Sequence, residues 1–346
     1  MRAPCLAAVT LLAAATPPGE RGAFSDPLDV PALESRLAPG GCLAAVVEAG
    51  GRLVAVGQRG HVLTSDDGGA TWAQASVPVS TDLTAVHFPS PRRGWAVGHD
   101  GVVLATADGG RSWEKQLDGR RLGAILAARA RAGGDPPELR ERLAILASRG
   151  TGQSFLDVWF ADERTGFAVG AFDLLVHTED GGRTWTPWLG RTENPRSLHL
   201  HAVRRVAGEI WIAGEQGLAL KLDPVARRFR AVRVGYAGSF FGVTGVGRAV
   251  VLHGLRGSVF RSADGGATWR RVPTGLASGL TASTALPDGR LVIVSQTGHV
   301  LVSGDGGASF APARPERLRP ASAAAPSGPG ALAIVGADGA RVERLR

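Results

Sequence analysis

Short apolar runs alternate with polar turns along most of the chain, and they recur in pairs. Each pair places two β-rich runs around a polar, usually glycine-containing turn, as in "RGWAVGHDGVVLATAD" from Arg93. This pattern predicts a β-hairpin. Hairpins of this kind begin at Gly51, Arg93, Thr165, Gly208, Gly247, Asp288 and Gly330.

An eight-residue box follows most of the hairpins. The first copy is "SDDGGATW" from Ser65, and the shared pattern is Ser/Thr-x-Asp-Gly-Gly-x-Ser/Thr-Trp. The box aspartates are Asp67, Asp108, Asp180, Asp264 and Asp305, and the closing aromatic residues are Trp72, Trp113, Trp185, Trp269 and Phe310. The first two aspartates are 41 residues apart, as are the last two. A fixed period of this length predicts a repeat architecture.

Each repeat contains enough apolar runs for four strands. A further run precedes most hairpins, such as "FLDVWF" from Phe155, and another follows most boxes. Four antiparallel strands in each of seven repeats predict an all-β, seven-bladed β-propeller over residues 24–346. The last hairpin leaves blade 7 without a fourth strand. We expect Asp26–Leu33 to supply it, because an open ring would expose two sheet edges.

The repetition of the box favours a structural role. Two glycines permit a tight turn, and the Asp and Ser/Thr side chains can bond to nearby backbone N–H groups. The alternative is a calcium or anion site in each copy. A device repeated around the ring supports the repeat itself, so function is expected where the blades differ.

Two segments lie outside the repeats. Residues 1–20 have an early arginine, a short apolar core and a Pro-rich end, which predicts a signal peptide and export to the periplasm or beyond. Residues 118–152 show helical spacing in two runs, Leu122, Ile125, Leu126 and Arg129 in the first and Leu139, Leu143 and Leu146 in the second, with Asp135 as the expected N-cap of the second helix. They predict a helical hairpin inserted between blades 2 and 3, on the rim opposite the boxes.

The net charge is +8, and all but two of the 39 basic residues are arginines. The insert is rich in arginine, including Arg120, Arg121, Arg129, Arg131, Arg140 and Arg142, so a basic surface could meet an acidic partner or anionic lipid headgroups. A solvated helix face is the alternative interpretation. No nucleic-acid-binding motif occurs, and no nucleic-acid partner is expected.

The boxes together with "GWAVG" and "GFAVG" hairpins resemble the photosystem II stability and assembly factor propellers, over about Cys42 to Arg346. The resemblance implies a non-enzymatic, exported scaffold that binds a membrane-associated protein during assembly. We expect a monomer without a cofactor. We expect the partner on the rim opposite the boxes, where divergent sequence collects. The candidate contact residues there are Arg59, His99, Asp173, Glu215, Tyr236 and Arg256.

The alternative is a glycan-active or glycan-binding propeller, since sialidases carry the same boxes. Tyr236 is the single tyrosine, and Asp100, Asp173 and Glu215 are acids at hairpin turns. No arginine triad can be assigned, so catalysis is not expected. His199 and His201 would point to the same side of a strand, but two ligands without a third do not predict a metal site.

Overall fold

The computed structural model of the protein describes residues 25–313 and 318–345. The signal peptide predicted for residues 1–20 lies outside these residues. Blade 1 contains β1 (Leu43–Ala49), β2 (Arg52–Gly57), β3 (Val62–Ser65) and β4 (Ala73–Gln74). Blade 2 contains β5 (Leu83–His87), β6 (Gly94–Gly98), β7 (Val103–Thr106) and β8 (Glu114–Leu117). Two helices follow, α1 (Gly119–Ala132) and α2 (Pro137–Ser148).

The remaining strands continue the pattern. Blade 3 contains β9 (Phe155–Phe160), β10 (Gly166–Gly170), β11 (Leu175–Thr178) and β12 (Thr186–Pro187). Blade 4 contains β13 (Leu200–Val206), β14 (Glu209–Gly214), β15 (Ala219–Asp223) and β16 (Arg228–Ala231). Blade 5 contains β17 (Phe240–Val246), β18 (Ala249–Gly254), β19 (Val259–Ser262) and β20 (Arg270–Val272). Blade 6 contains β21 (Leu280–Ala285), β22 (Leu291–Ser295), β23 (Val300–Ser303) and β24 (Ala311–Ala313), and blade 7 contains β25 (Ala323–Pro326), β26 (Ala331–Gly336) and β27 (Gly339–Arg344).

Each sheet is antiparallel, with its strands side by side in chain order. The seven sheets confirm the predicted seven-bladed propeller, and the helical insert lies between blades 2 and 3 as expected. The core lies between neighbouring blades, where Trp95 stacks on Phe160 with ring centroids 3.6 Å apart. Position 98, the last of β6, is glycine because a Cβ atom there would collide with the carbonyl oxygen of Asp82, the residue before β5.

The connections between strands divide the ring into two rims. The Asp boxes connect the third and fourth strands of a blade, and we call their side the box rim. The opposite side, the tip rim, carries the turns between second and third strands, together with the links from each blade to the next. In blades 1 to 5 these turns are Gln58–Gly60, His99–Gly101, Ala171–Asp173, Glu215–Gly217 and Leu255–Gly257. The insert connects β8 to β9 and therefore lies on the tip rim.

The ring closes without the N-terminal strand that the sequence predicted. Residues 26–33 form a turn and extended coil on blades 1 and 2, where Leu28 is fully buried. Pro27 and Pro31 have no N–H to donate to a ladder, which makes this segment a poor strand. The part of the chain that the structure describes holds no fourth strand for blade 7. Instead β1 packs directly on β25, and the turn Ala38–Gly40 packs on β27.

The insert docks through its apolar face. Leu122, Leu126, Leu143 and Leu146 are buried in one cluster with apolar side chains of blades 2 and 3. The predicted N-cap of the second helix is wrong: α2 begins at Pro137 after Pro136, and the Asp135 carboxylate binds Arg129 instead. Neither insert helix, nor any other helix in the described residues, is long and apolar enough to cross a bilayer.

Candidate binding surface on the tip rim

The Asp boxes share one hydrogen-bond pattern, which the first copy illustrates. The Asp67 carboxylate accepts from the backbone N–H and the hydroxyl of Thr71, at 2.9 and 2.6 Å, and from the Ser65 hydroxyl at 2.8 Å. The Ser65 oxygen accepts from the Gly69 N–H at 2.8 Å. Gly68 and Gly69 have φ values of +69° and +92°, a region that side chains disfavour.

The same donors keep the box carboxylates ionised. Hydrogen bonds from Thr71 and Ser65 lower the pKa of Asp67 to about 2. Burial raises the pKa of Asp108 and Asp180, but hydrogen bonds within each box outweigh it and bring both pKa values to about 2. Hydrogen bonds from box hydroxyls also lower the pKa values of Asp264 and Asp305. Both oxygens of each carboxylate thus already bind donors inside the turn.

The turns of the tip rim share a strained apex. The middle residue has φ between +51° and +58° in all five three-residue turns, although none of these residues is glycine. The apex residues are Arg59, Asp100, Phe172, Gln216 and Arg256. Of the candidate contact residues, Arg59 and Arg256 are apex residues, whereas His99, Asp173 and Glu215 are each one residue away from the apex of their turn. That one-residue difference decides which side chain faces outward.

The six candidate contact residues occupy different environments on this rim. Arg59, His99 and Arg256 are exposed, and the Glu215 and Tyr236 side chains are half-buried. Asp173 is the exception, because it is fully buried and out of a partner's reach. The candidate list is therefore corrected at that position.

Asp173 instead anchors the insert to blade 3. Its carboxylate accepts from Arg142 of α2 at 2.8 Å, from the Thr192 hydroxyl at 2.9 Å, and from the Asn194 amide at 3.0 Å. Burial raises the pKa of Asp173, and these donors offset that rise in part. A buried carboxylate needs such partners, so the position of α2 is coupled to this turn.

Phe172 is the outward-facing residue of the same turn, and the sequence analysis did not single it out. Its ring is 41% exposed and lies beneath the Arg149 guanidinium, 4.0 Å from the ring centroid. Ile145 of α2 is 49% exposed. The insert and the blade 3 turn together present aromatic, aliphatic and cationic groups. The sequence feature that could have identified Phe172 is an aromatic residue at the middle of a predicted hairpin turn.

The inner strands of the blades line a central channel of about 430 Å³. Its polar lining includes Asp157 and Arg204, which form an ion pair. The Asp157 carboxylate also accepts from the Val203 N–H at 2.8 Å. Burial raises the pKa of Asp157, and Arg204 partly offsets this. Two acids among the described residues line the channel, Asp157 and Glu48. Asp157 is already paired with Arg204.

The side chains considered for a glycosidase site also make hydrogen bonds to neighbouring residues. The Tyr236 hydroxyl donates to the Leu255 carbonyl at 3.1 Å. Asp100 accepts from the Thr81 hydroxyl, and Glu215 accepts from the His199 N–H at 2.8 Å. Tyr236, Asp100 and Glu215 therefore each already make a hydrogen bond within the rim.

Blade 4 brings together three groups that could bind a metal ion. His199 and His201 flank the first residue of β13, and Glu215 begins the next turn of the same blade. One ligand atom from each residue lies within 4.8 Å of the other two. The sequence analysis named Glu215 as a turn acid but did not group it with the two histidines. Counting back along the β13–β14 hairpin could have found it, since Leu200 pairs with Gly214.

Comparison with known proteins places the chain among propellers of one family. A profile described as Photosynthesis system II assembly factor YCF48 matches residues 44–128 and 146–314. The photosystem II assembly lipoprotein Ycf48 of Synechococcus sp. (strain CC9902) is 26% identical over 147 residues. That alignment spans 42% of this chain and less than half, 44%, of the relative.

Solved structures agree in fold. A structure described as YCF48 bound to D1 peptide has a TM-score of 0.64 and 15% identity, covering 92% of this chain and 99% of that one. YCF48 from Cyanidioschyzon merolae has a TM-score of 0.61 and 16% identity, covering 89% and 96%. At these identities the structural similarity shows the fold alone. Because the family profile covers most of the chain, the protein belongs to the YCF48 family of photosystem II assembly factors.

Proposed function

We propose that the protein is an exported, non-enzymatic scaffold that binds a membrane-associated protein on the tip rim. The observation that carries the proposal is the concentration of non-repeating structure there. The docked helical insert, the exposed Phe172 and the link between blades 3 and 4 all lie on this side. Repeated sequence builds the ring, so a surface that departs from the repeat is available for recognition.

The family supports the same function. Its members are named as assembly factors, and one solved relative is described as bound to D1 peptide. A propeller rim is suited to such a role because short turns on a rigid ring can be varied without changing the fold. For this chain we propose a membrane-associated protein as the partner.

Charge supports the choice of surface. Arg121, Arg131, Arg140 and Arg149 of the insert are exposed. These side chains would attract an acidic partner segment or anionic headgroups beside it, and added salt would weaken that attraction. Arg142 is not part of this set, because it pairs with the buried Asp173.

Removing the insert would be an ambiguous test. The buried leucines of α1 and α2 cover Phe155, Leu174 and Leu189 of blade 3. Replacing residues 118–152 by a linker would expose this cluster and leave Asp173 without Arg142. Loss of partner binding could then follow from loss of the fold.

Charge neutralisation on the surface is a sharper experiment. The variant Arg131→Gln, Arg140→Gln, Arg149→Gln removes three exposed charges while leaving the apolar contacts of the insert in place. The matched control neutralises three exposed arginines of the box rim, Arg92, Arg183 and Arg248. Both variants change the net charge equally. The measurement is capture of proteins from solubilised membranes of the source organism, compared by quantitative mass spectrometry.

We expect the insert variant to lose specific capture and the control to retain it. At about 1 kcal/mol per charge near an anionic surface, three charges correspond to on the order of 100-fold in affinity. Raising the salt concentration should weaken wild-type capture in the same direction. Capture that survives in the insert variant but is lost in the control would refute the assignment to the tip rim.

Export and the lack of catalysis have separate tests. The relative from Synechococcus is named a lipoprotein, and residues 1–20 have the composition of a signal peptide. A phosphatase fusion after residue 40 should be active only if the leader directs export. Purified protein should leave chromogenic sialosides and other glycosides unhydrolysed, and turnover that depends on Tyr236 would contradict the scaffold proposal.

A further inference from the structure

The side chains that converge in blade 4 are not required by the repeat. In every three-residue turn of the tip rim, the first residue of the turn donates its backbone N–H to a carbonyl oxygen. That carbonyl belongs to the residue just before the first strand of the same blade. In blade 4 this bond joins Glu215 N–H to His199 O at 3.1 Å. The residues at the Glu215 position in blades 1, 2, 3 and 5 are Gln58, His99, Ala171 and Leu255. The turn therefore forms with a variety of side chains.

The same holds for the histidines. The residues that match His199 in the other turns are Cys42, Asp82, Ser154 and Ser239, as their backbone bonds show. Two positions further along, the residues that match His201 are Ala44, Thr84, Leu156 and Phe241. Blade 4 alone among these five combines two imidazoles with a carboxylate. From this combination we propose that His199, His201 and Glu215 bind one divalent transition-metal ion, of which Zn²⁺ is the best fit.

Hydrogen bonds around the three side chains orient them for this role. His201 Nδ1 lies 2.8 Å from the Phe240 carbonyl oxygen, so Nδ1 carries the proton and Nε2 keeps a free lone pair. Metal-binding histidines are usually held in this way, with the distal N–H bonded to a carbonyl or carboxylate. Glu215 Oε2 accepts from the His199 N–H at 2.8 Å, which leaves Oε1 available.

The chemistry of the ligand set selects the ion. Two imidazoles and one carboxylate suit Zn²⁺ and its neighbours in the first transition series, whereas Ca²⁺ and Mg²⁺ prefer more oxygen ligands. Zn²⁺ bonds to these ligands are about 2.0–2.2 Å long. The ligand atoms lie within 4.8 Å of one another, so small side-chain rotations bring them around one ion.

The site would keep an open position. All three side chains are half-buried, and His201 lines the central channel. Phe172 and Phe241 pack beside the two imidazoles, with ring centroids 4.6 Å from His199 and 5.5 Å from His201. An ion with three protein ligands retains a position for water or for a ligand atom of a bound molecule. The site lies at the tip-rim mouth of the channel, and the inference does not depend on the proposed function.

Titration calorimetry with zinc sulfate tests the inference directly. The protein should be full length after removal of any affinity tag, and it should be stripped with EDTA and dialysed first. We expect saturable binding of one Zn²⁺ per chain and no comparable heat with Ca²⁺ or Mg²⁺. Co²⁺ provides a second probe, because ligation by imidazole changes its visible absorption.

Single substitutions identify the ligands. Glu215→Gln keeps an acceptor for the His199 N–H but removes the charge, and His201→Ala removes the channel imidazole. Each should weaken Zn²⁺ binding by at least about tenfold. His61→Ala removes a half-buried imidazole that directly follows the blade 1 turn, and this variant should bind Zn²⁺ as wild type does.

Both possible failures are informative. Absence of one-to-one binding to wild type, or wild-type affinity in Glu215→Gln and His201→Ala, would overturn the proposal. Thermal unfolding of each variant checks the fold. If His201→Ala unfolds, Glu215→Gln decides the question, since it retains the turn's hydrogen bonds. Partner capture in the presence and absence of Zn²⁺ is a separate measurement and does not affect this result.

Discussion

At the residue scale, a single carboxylate organises each Asp box. Asp180 accepts from the Thr184 N–H at 2.9 Å, the Thr184 hydroxyl at 2.6 Å and the Thr178 hydroxyl at 2.9 Å. Asp180→Ala leaves these donors without their acceptor. We expect the free energy of unfolding to fall by on the order of 1–2 kcal/mol, measured by chemical denaturation.

The control for Asp180→Ala is Glu141→Ala, which changes an exposed acid of α2 and should be close to neutral. Partner capture should decline only as far as the folded fraction does. An unchanged stability together with lost partner capture or lost metal uptake would contradict the structural interpretation of the boxes.

Buried histidines predict a loss of stability in mild acid. Burial lowers the pKa of His253 from 6.5 to about 4 and that of His87 to about 3. Between the unfolded and folded pKa values, the unfolded chain binds a proton that the folded chain does not. Stability therefore falls as the pH is lowered from about 6.5 towards 4, by on the order of 3 kcal/mol for His253.

The variant His253→Asn removes this titration. Its stability difference from wild type should shrink as the pH falls from 7 to 4, measured by denaturant unfolding at each pH. Ser283→Ala is the matched control, because it removes the 2.8 Å partner of His253 Nε2 but keeps the imidazole. Equal pH slopes in wild type and His253→Asn would show that His253 does not contribute.

At the element scale, the insert is part of the folded body. Arg142 of α2 reaches the buried Asp173, and Arg129 of α1 donates to the Pro187 carbonyl at 2.7 Å. Removing one member of a buried ion pair leaves the other charge uncompensated. We expect Arg142→Met to lower the free energy of unfolding by roughly 3 kcal/mol.

A second substitution separates charge from packing. Adding Asp173→Asn to Arg142→Met removes the uncompensated carboxylate, so the double variant should recover part of the lost stability. Arg140→Met changes an exposed arginine of the same helix and should have little effect. Both comparisons use denaturant unfolding. A double variant less stable than Arg142→Met would show that the unpaired Asp173 carboxylate is not the main cause of the lost stability.

At the scale of the whole molecule, the N-terminal segment supports blades 1 and 2 and not the ring closure. The Ala32 N–H donates to the Val77 carbonyl at 3.0 Å, and the Ser80 N–H donates to the Pro27 carbonyl at 2.8 Å. Deleting residues 26–33 should increase amide hydrogen exchange in residues 75–83 and at the start of α1. Residues 323–344 of blade 7 should keep wild-type protection, because β25 packs directly on β1. Increased amide exchange confined to blade 7 would instead support the sequence-based prediction that this segment supplies the fourth strand of blade 7.

The sequence by itself determined the repeat, and hence the fold. A period of 41 residues and a recurring turn with two glycines can be satisfied by few architectures, since each four-stranded unit must bury both faces against its neighbours. The position of the insert followed from the same count. Helical spacing in residues 118–152 also identified Leu122, Leu126, Leu143 and Leu146, which become buried, together with Leu139, which is only partly buried against them.

Contacts between segments distant in sequence were decided only by the tertiary structure. Asp173 and Phe172 are adjacent, yet one is fully buried and the other is 41% exposed, because the turn places its middle residue at the apex. Arg142 and Asp173 meet only after the insert folds back on blade 3. Glu215 joins His199 and His201 through strand register, and Leu28 lies between blades 1 and 2 where its proline-flanked segment fits. Periodicity reports what every repeat shares, whereas a site depends on where single repeats differ and on which of those differences meet in space.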